Sequence, residues 1–511
     1  MIRMARHQFI SSSVALAVML SAGLVSAAEN RPGYQDVPSL LQEAKDAARA
    51  IADDPYLRDA ALRGIAGAQA EEGRFDAALD TAALIADAYL RTGAWRQIAV
   101  ARARAGDRGA AGKLLDKALQ EVASFKNVPL RRVEVLIATA EAQAQIGDVP
   151  GALKTAMTIE VLPGRVEALR NIALIQAKGG DFKGAVETAG AIADEKIKAQ
   201  ALRGIAVARA GKGDRDGALQ TAAGIRDPYL KAGALRRIAA APPILKDRAA
   251  ALDILKQALD SAGAIQGENE KADALGGITM VFLAAGDVKG AFRTVALIER
   301  AFAGKPLPEV AVTTRSEVLR AIAVAQAQAG DSPRALQTTE SIATPYMQAS
   351  ALAEIAVVQV ERGDRIAAEA TLRRAMQVSS AIREFAAKAP ALLGIAQAYA
   401  KVGDRAAATK TFRQARQTVR VSDDERYKTD ALMDLAMVQS GAGDFSGAVE
   451  TADGIRDIHA RAHAWRVVAA AQGGNREPVL AWIATDGAPA RKAYALLGLA
   501  EGLLPRLSGH E

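Results

Sequence analysis

The 511-residue chain has no cysteine. That excludes disulfides, thiol catalysis, zinc–thiolate and iron–sulfur sites, and lipidation at an N-terminal cysteine. Aromatic residues are only 4% of the chain. Platforms for stacking nucleic-acid bases or sugars are therefore scarce, and no block of Lys and Arg forms a phosphate-tracking stripe. The histidines are His7, His459, His463 and His510. His459 and His463 stand a helical turn apart near Asp457, yet two nitrogens without further ligands do not make a metal site. Glu71-Glu72 and Asp423-Asp424 fall in turns or on exposed faces, so they offer no general acid or base. Gly106–Lys113 superficially resembles a phosphate loop, but its spacing is wrong and Leu114 stands where a magnesium-binding hydroxyl is needed. No cofactor, metal or catalytic residue is expected, and the chain is read as a non-enzyme.

Hydrophobic residues make up 50% of the chain, and alanine dominates among them. Alanine is the best helix former, and small side chains let helices pack closely. With almost no β-branched, turn-punctuated alternation, the expectation is an all-α protein. The formal net charge of +7 comes from 65 Lys and Arg against 58 Asp and Glu, with both signs spread along the chain. This mild basicity hints at an acidic partner and at nothing more specific.

Residues 1–28 have the pattern of a secretory signal peptide. Arg3, Arg6 and His7 form a positive start, Gln8–Ala28 carries no charge, and Val25-Ser26-Ala27-Ala28 ends it in small residues. An uncleaved anchor is the alternative reading. Ser11-Ser12-Ser13 and the small-residue end shorten the apolar part to Val14–Val25, which favours cleavage after Ala27 or Ala28. Arg3 and Arg6 are not adjacent, which argues against the twin-arginine route. No later stretch is apolar enough to span a membrane. The expected location is the periplasm, with no stable membrane insertion after cleavage.

The remainder repeats one unit, seen clearly in Ala201–Ile225 (ALRGIAVARAGKGDRDGALQTAAGI). Leu202, Ile205, Ala206 and Arg209 fall on one face of a helix, and Gln replaces the last in most copies. Gly213 suits the left-handed cap and Asp214 caps the next helix. Ala218, Ala222 and Ile225 form the apolar face of the second helix, which Asp227-Pro228 stops. The Gly-Asp step returns at 106, 147, 180, 213, 286, 330, 363, 403 and 443, with degenerate copies at Gly73-Arg74, Lys246-Asp247 and Gly474-Asn475. Some units have short second helices ending near an Ile. Others (AAGKLLDKALQEVASF, AATKTFRQARQTV) have extended ones, whose extra turns are expected to project beyond the body. Ala303–Thr314 and Val421–Arg426 read as linkers after such extensions.

Ala61–Leu79 (ALRGIAGAQAEEGRFDAAL) and Leu392–Ala408 resemble tetratricopeptide repeats (TPRs). The shared features are the Leu and Ala of helix one, the Gly-Asp turn, the Ala five residues after the Gly, and a Pro near the unit's end (Pro55, Pro228, Pro345). Most of the bulky aromatics usual in that family are replaced by Ala, Gln or Arg. The resemblance implies a right-handed superhelical α-solenoid of about twelve TPR-like helical hairpins. Residues 29–38 are expected to be a disordered N-terminus, 39–241 an N-terminal subarray, 242–507 a C-terminal subarray with a capping helix, and 508–511 a disordered tail. Pro242-Pro243 should kink or shorten a first helix and is read as the joint between subarrays. Leu40–Tyr56 reads as a lone second helix and Lys492–Leu504 as a lone cap.

One side chain recurs without a core role. Ten residues before the turn Gly stand Arg63, Arg96, Arg170, Arg203, Arg236 (counted from Lys246) and Arg320, and Arg466 fits the same phrase. Ile137, Gly276, Ala353, Leu393 and Met433 depart from it. In TPRs this position looks into the concave groove, so the resemblance implies a ladder of guanidinium groups able to grip carboxylates or phosphates. Alternatively, each arginine pairs with an acid of the next unit, such as Asp87 or Asp227, and only locks the stack. The resemblance stops short of the carboxylate-clamp subfamily, because Gly67, Val100, Leu174 and Val207 occupy the place of its groove asparagine. The functional expectation is an exported scaffold that holds a protein or peptide partner, with acidic features favoured. A polyanion or polysaccharide-associated envelope scaffold is the alternative, and an enzyme with an unrecognised site is a third reading.

Overall fold

A computed structural model describes residues 37–125, 128–302, 307–473, 475–485 and 488–504. Residues 1–36, which include the stretch read as a signal peptide, and residues 505–511 lie outside the described residues. The chain is all-α, with 27 helices and no strand among the described residues.

After α1 (Val37–Arg49), twelve hairpins follow in tandem. Their first helices are α2 (Pro55–Glu71), α4 (Ala88–Arg104), α6 (Pro129–Gln145), α8 (Leu162–Gly179), α10 (Glu195–Gly211), α12 (Pro228–Ala239), α15 (Glu268–Ala284), α17 (Glu309–Gln328), α19 (Pro345–Glu361), α21 (Phe385–Val402), α23 (Glu425–Gly441) and α25 (Ile458–Ala470). Their second helices are α3 (Phe75–Ala83), α5 (Arg108–Glu121), α7 (Val149–Met157), α9 (Phe182–Gly190), α11 (Arg215–Ala223), α14 (Arg248–Gly263), α16 (Val288–Ala301), α18 (Ser332–Glu340), α20 (Arg365–Ser380), α22 (Arg405–Arg420), α24 (Phe445–Asp453) and α26 (Glu477–Ala484). A single turn, α13 (Pro242–Leu245), sits between α12 and α14, and α27 (Pro489–Leu503) ends the chain.

Ten of the twelve hairpins turn at a glycine of positive φ among the described residues, and nine of those follow it with a capping aspartate, Arg74 being the exception. Gly213 sits at φ +83°, a region costly to residues with a Cβ. Its N–H donates to Ala210 O, and the Asp214 N–H reaches back to Arg209 O, which satisfies the last carbonyls of α10. The Asp214 carboxylate then accepts from the Gly217 N–H at 2.9 Å and caps α11. An isoleucine two residues after the arginine position (Ile65, Ile98, Ile172, Ile205, Ile238) is fully buried against the second helix.

A buried polar bond also recurs inside the hairpins. Gln69, Gln143, Gln176 and Gln439 accept at Oε1 from Thr81, Thr155, Thr188 and Thr451, each at 2.7 Å. This is why Gln is preferred in the last turn of the first helix: its amide spans the hairpin and leaves neither polar group unpaired. Where Arg replaces it, the guanidinium turns to the cap instead, as in Arg209–Asp214 at 2.9 Å and Arg102–Asp107 at 3.2 Å.

Two expectations are corrected. The extra turns of the long second helices do not hang free, because buried Phe125, Ile265, Phe302 and Ile382 anchor their ends as Ile85 and Ile225 anchor the short ones. The stretch read as a linker over 303–314 is helical from Glu309, within α17. Pro242-Pro243 does shorten its helix, ending α12 at Ala239. Ile244 of α13 stays buried, in an apolar cluster that runs unbroken from Ala199 to Ile322.

The ends of the array meet. Every first helix packs on the one before and the one after it, and α27 continues the series by packing on both α25 and α2. Against α27 lies α1, in the place of a second helix. The two lone end helices thus form a thirteenth hairpin from opposite ends of the chain, and the solenoid closes into a ring. The Tyr494 hydroxyl donates to Leu57 O at 3.0 Å, and Lys492 lies 3.6 Å from Glu43. One apolar cluster contains residues of both ends, from Val37 to Leu503. The expected cap is therefore an interior element. Ala493–Ala500 is buried throughout, which suits a helix apolar on all sides rather than one with a polar outer face.

Candidate functional site

Second helices scarcely touch one another, α22 and α24 excepted, whereas first helices pack side by side around the whole circuit. The first helices therefore form the inner wall. Thirteen of them at about 9 Å spacing make a circuit of about 120 Å, leaving a central opening on the order of 25 Å once side chains are counted.

On α2, Arg63 lies on the side opposite Ala61 and Ile65, which pack on the second helix. It shares its stripe with Tyr56 and Gly67, and the same logic places the other arginines on the inner wall. The half-buried guanidiniums lean toward the next first helix, which gives them room by carrying glycine. A Cβ on Gly93 would sit 3.1 Å from Arg63 Cδ, one on Gly233 3.9 Å from Arg203 Cδ, and one on Gly277 2.7 Å from Arg236 Cζ. The arginines were legible in the sequence, but these glycines were not singled out. Their signal is a Gly three residues before the next unit's arginine, at Gly93 and Gly233.

The arginines divide into two groups. Arg320 Nη1 lies 2.6 Å from Glu354 Oε1 on the next first helix, and both Arg466 nitrogens of its fork meet Glu501. These lock the stack. Arg170 is held by Asn171 Oδ1 at 3.1 Å and lies 3.9 Å from Glu167. Arg63, Arg96, Arg203 and Arg236 make no ion pair among the described residues. Asp87 and Asp227, the acids a locking role would use, do not reach these arginines: both cap helices, accepting from Leu90 N–H at 2.9 Å and Leu230 N–H at 2.7 Å, and the second Asp87 oxygen pairs with Arg131 at 3.3 Å.

The unpaired arginines gather in two arcs. Arg63 and Arg96 face Tyr89. Arg203 and Arg236 flank Tyr229, whose hydroxyl donates to Asp273 at 2.6 Å, and Arg237 lies near both arginines. Burial holds Arg96 below the usual guanidinium range, with Arg63 adding to the effect and Tyr89 opposing it. Burial likewise lowers Arg203 and Arg236, and Arg237 adds to both. Burial and the bond to Asp273 push Tyr229 up to about 12. A guanidinium does not shed its proton at physiological pH, so each arc keeps partly desolvated positive charge that an anion would relieve.

The remaining candidates do not converge. His459 sits 3.7 Å from Asp54 and edge-on to Tyr56, across the ring closure. Burial, then nearby Arg466, lowers His463. Among the described residues no group of three or more His, Asp or Glu is placed to hold a metal, and no helix is long and apolar enough to cross a membrane.

The fold and inner wall define a TPR-like helical-hairpin solenoid with a polar, arginine-bearing concave face. No protein-family model matches the chain, and no curated protein matches it in sequence. Among solved structures, it is similar to yeast Tom70 at 12% identity, covering 84% of this chain and 98% of that one with a TM-score of 0.26. It is also similar to the apo form of RapI (13% identity, 66% and 97% covered, TM-score 0.29) and to Ton1535 from Thermococcus onnurineus NA1 (18%, 65% and 98%, 0.26). These are likenesses of the repeating hairpin alone.

Proposed function

We propose that the chain is an exported, non-catalytic scaffold whose ring holds an acidic segment of a protein or peptide partner against its inner wall. The carrying observation is the set of half-buried arginines without carboxylate partners, Arg63, Arg96, Arg203 and Arg236. Arg170 and Arg320 extend the same face, with Arg320 already engaged by Glu354. Many weak contacts along an extended concave surface would supply affinity, and the arginines would select acidic features. The periplasm is the proposed site of action, on the strength of the positive start, apolar run and small-residue end of residues 1–28.

A pull-down from periplasmic extract tests this reading. The native protein is compared with a variant carrying Arg63→Glu, Arg96→Glu, Arg203→Glu and Arg236→Glu. The expected result is loss of a captured partner by the variant, with unchanged helical circular dichroism. A folded variant that retains every partner overturns the proposal.

A further inference from the structure

One rim of the ring is formed by the N-termini of the first helices. Aspartates stand at six of its N-cap positions (Asp54, Asp87, Asp194, Asp227, Asp424 and Asp457), each accepting from a backbone N–H. The other positions lack such a cap, and at Gly267, Pro308 and Glu384 a carboxylate still stands at the helix start, as Glu268, Glu309 and Glu384 itself. The two neighbouring positions at α6 and α8 are apolar instead. Val128 and Val161 cap α6 and α8 and provide no side-chain hydrogen bond. Apolar side chains stand out beside them: Leu130 is 78% exposed, Met157 and Leu162 each 59%, Val161 50% and Val128 43%. The two helix ends are neighbours, since a Cβ on Gly164 of α8 would lie 2.6 Å from Val133 of α6. The five side chains therefore form one patch.

Such a patch is costly to leave in water, and here it also forgoes two caps. It is made of helix ends and a loop that project, not of a trough between helices. Exposed Arg132 and Lys154 flank it and make no ion pair among the described residues, while Arg131 and Arg165 stand further in. Glu160 is the one carboxylate of the intervening loop. A second copy of the chain would bring this basic flank against its own like. We infer that this arc of the rim docks on an anionic lipid surface, with Leu130, Val161, Leu162 and Met157 entering the interface and Arg132 and Lys154 meeting lipid phosphates. The carboxylates elsewhere on the rim, the six cap aspartates together with exposed Glu268, Glu309 and Glu384, would be repelled by such a surface, which favours contact through the α6–α8 arc.

The test is co-sedimentation of the full-length mature chain with vesicles of phosphatidylglycerol in phosphatidylcholine, and of phosphatidylcholine alone. The wild type is expected to bind the anionic vesicles and to lose binding with added salt. The decisive variant is Val128→Asp with Val161→Asp. Val161 already has the cap backbone (φ −73°, ψ 112°, against −75° and 109° at Asp194), so the variant should unfold at the same or a higher temperature. Its partition onto anionic vesicles should fall roughly tenfold or more. Wild-type protein that ignores anionic vesicles, or a variant that binds them undiminished, overturns the inference. The former would leave the patch to an acidic amphipathic protein.

Discussion

Gln359 is the exception among the hairpin glutamines. It is buried like Gln69 and Gln176, yet its Oε1 has no partner. Gln176→Leu should cost about 1–3 kcal/mol, because it strands the Thr188 hydroxyl. Gln359→Leu removes an acceptor that is already unpaired and should be neutral or stabilising. Hydrogen exchange resolved by hairpin separates the two outcomes, since a long array need not unfold in one step. Asp434 offers a second check. Burial, then Asp430 one turn earlier, raises its carboxyl to about 6. The folded state thus holds a proton that the unfolded chain releases near pH 4, so stability should rise as pH falls from about 7 toward 4. Asp434→Asn should flatten that slope and stabilise the chain at pH 7 by on the order of 1–2 kcal/mol. Thermal melts across that pH range, with both proteins, measure it. At this scale the sequence was partly legible. The recurring arginine could be read from its phrase, but its state depends on whether the next inner helix brings Glu354 or Gly277, a relation set by packing between units.

At the scale of elements, the α25–α27 contact sets the ring closure. A Cβ on Gly498 would lie 2.0 Å from Arg466 O, and one on Gly502 2.2 Å from Ala470 O. These are backbone atoms that cannot step aside. Gly498→Leu is expected to push α27 off α25 and release α1, while hairpins on the far side keep their stability, because repeats feel only their neighbours. Faster amide exchange confined to α1, α2, α25 and α27 is the expected signature, and uniform exchange across the array would contradict it. Most elements were readable because Gly, Asp and Pro punctuate them. α27 was misjudged because position in the chain outweighed composition. The run AYALLGLA in Ala493–Ala500 has no polar surface to show to water, and Gly498 and Gly502 four residues apart mark a close helix crossing.

For the whole molecule, closure distinguishes this array from an open superhelix, and periodicity alone could not announce it. The number of units was legible to within one. Whether the last meets the first depends on small rotations summed over thirteen hairpins. Removing residues 489–511 should expose the apolar faces of α1, α2 and α25, so the truncated chain is expected to self-associate, as light scattering would show.

A ring without free ends also makes the place where the peptide chain starts and stops arbitrary. Val37 and Leu503 belong to the same apolar cluster, and α1 packs on α27, so a short linker joining Leu503 to Val37 would cross little space. New termini cut at an exposed turn such as Gly213-Asp214 would split one hairpin and reunite α1 with α27 in continuous chain. Such a circular permutant should keep the helical content and compactness of the native protein, and the natural order of the repeats would then be one of many equivalent ways to string them.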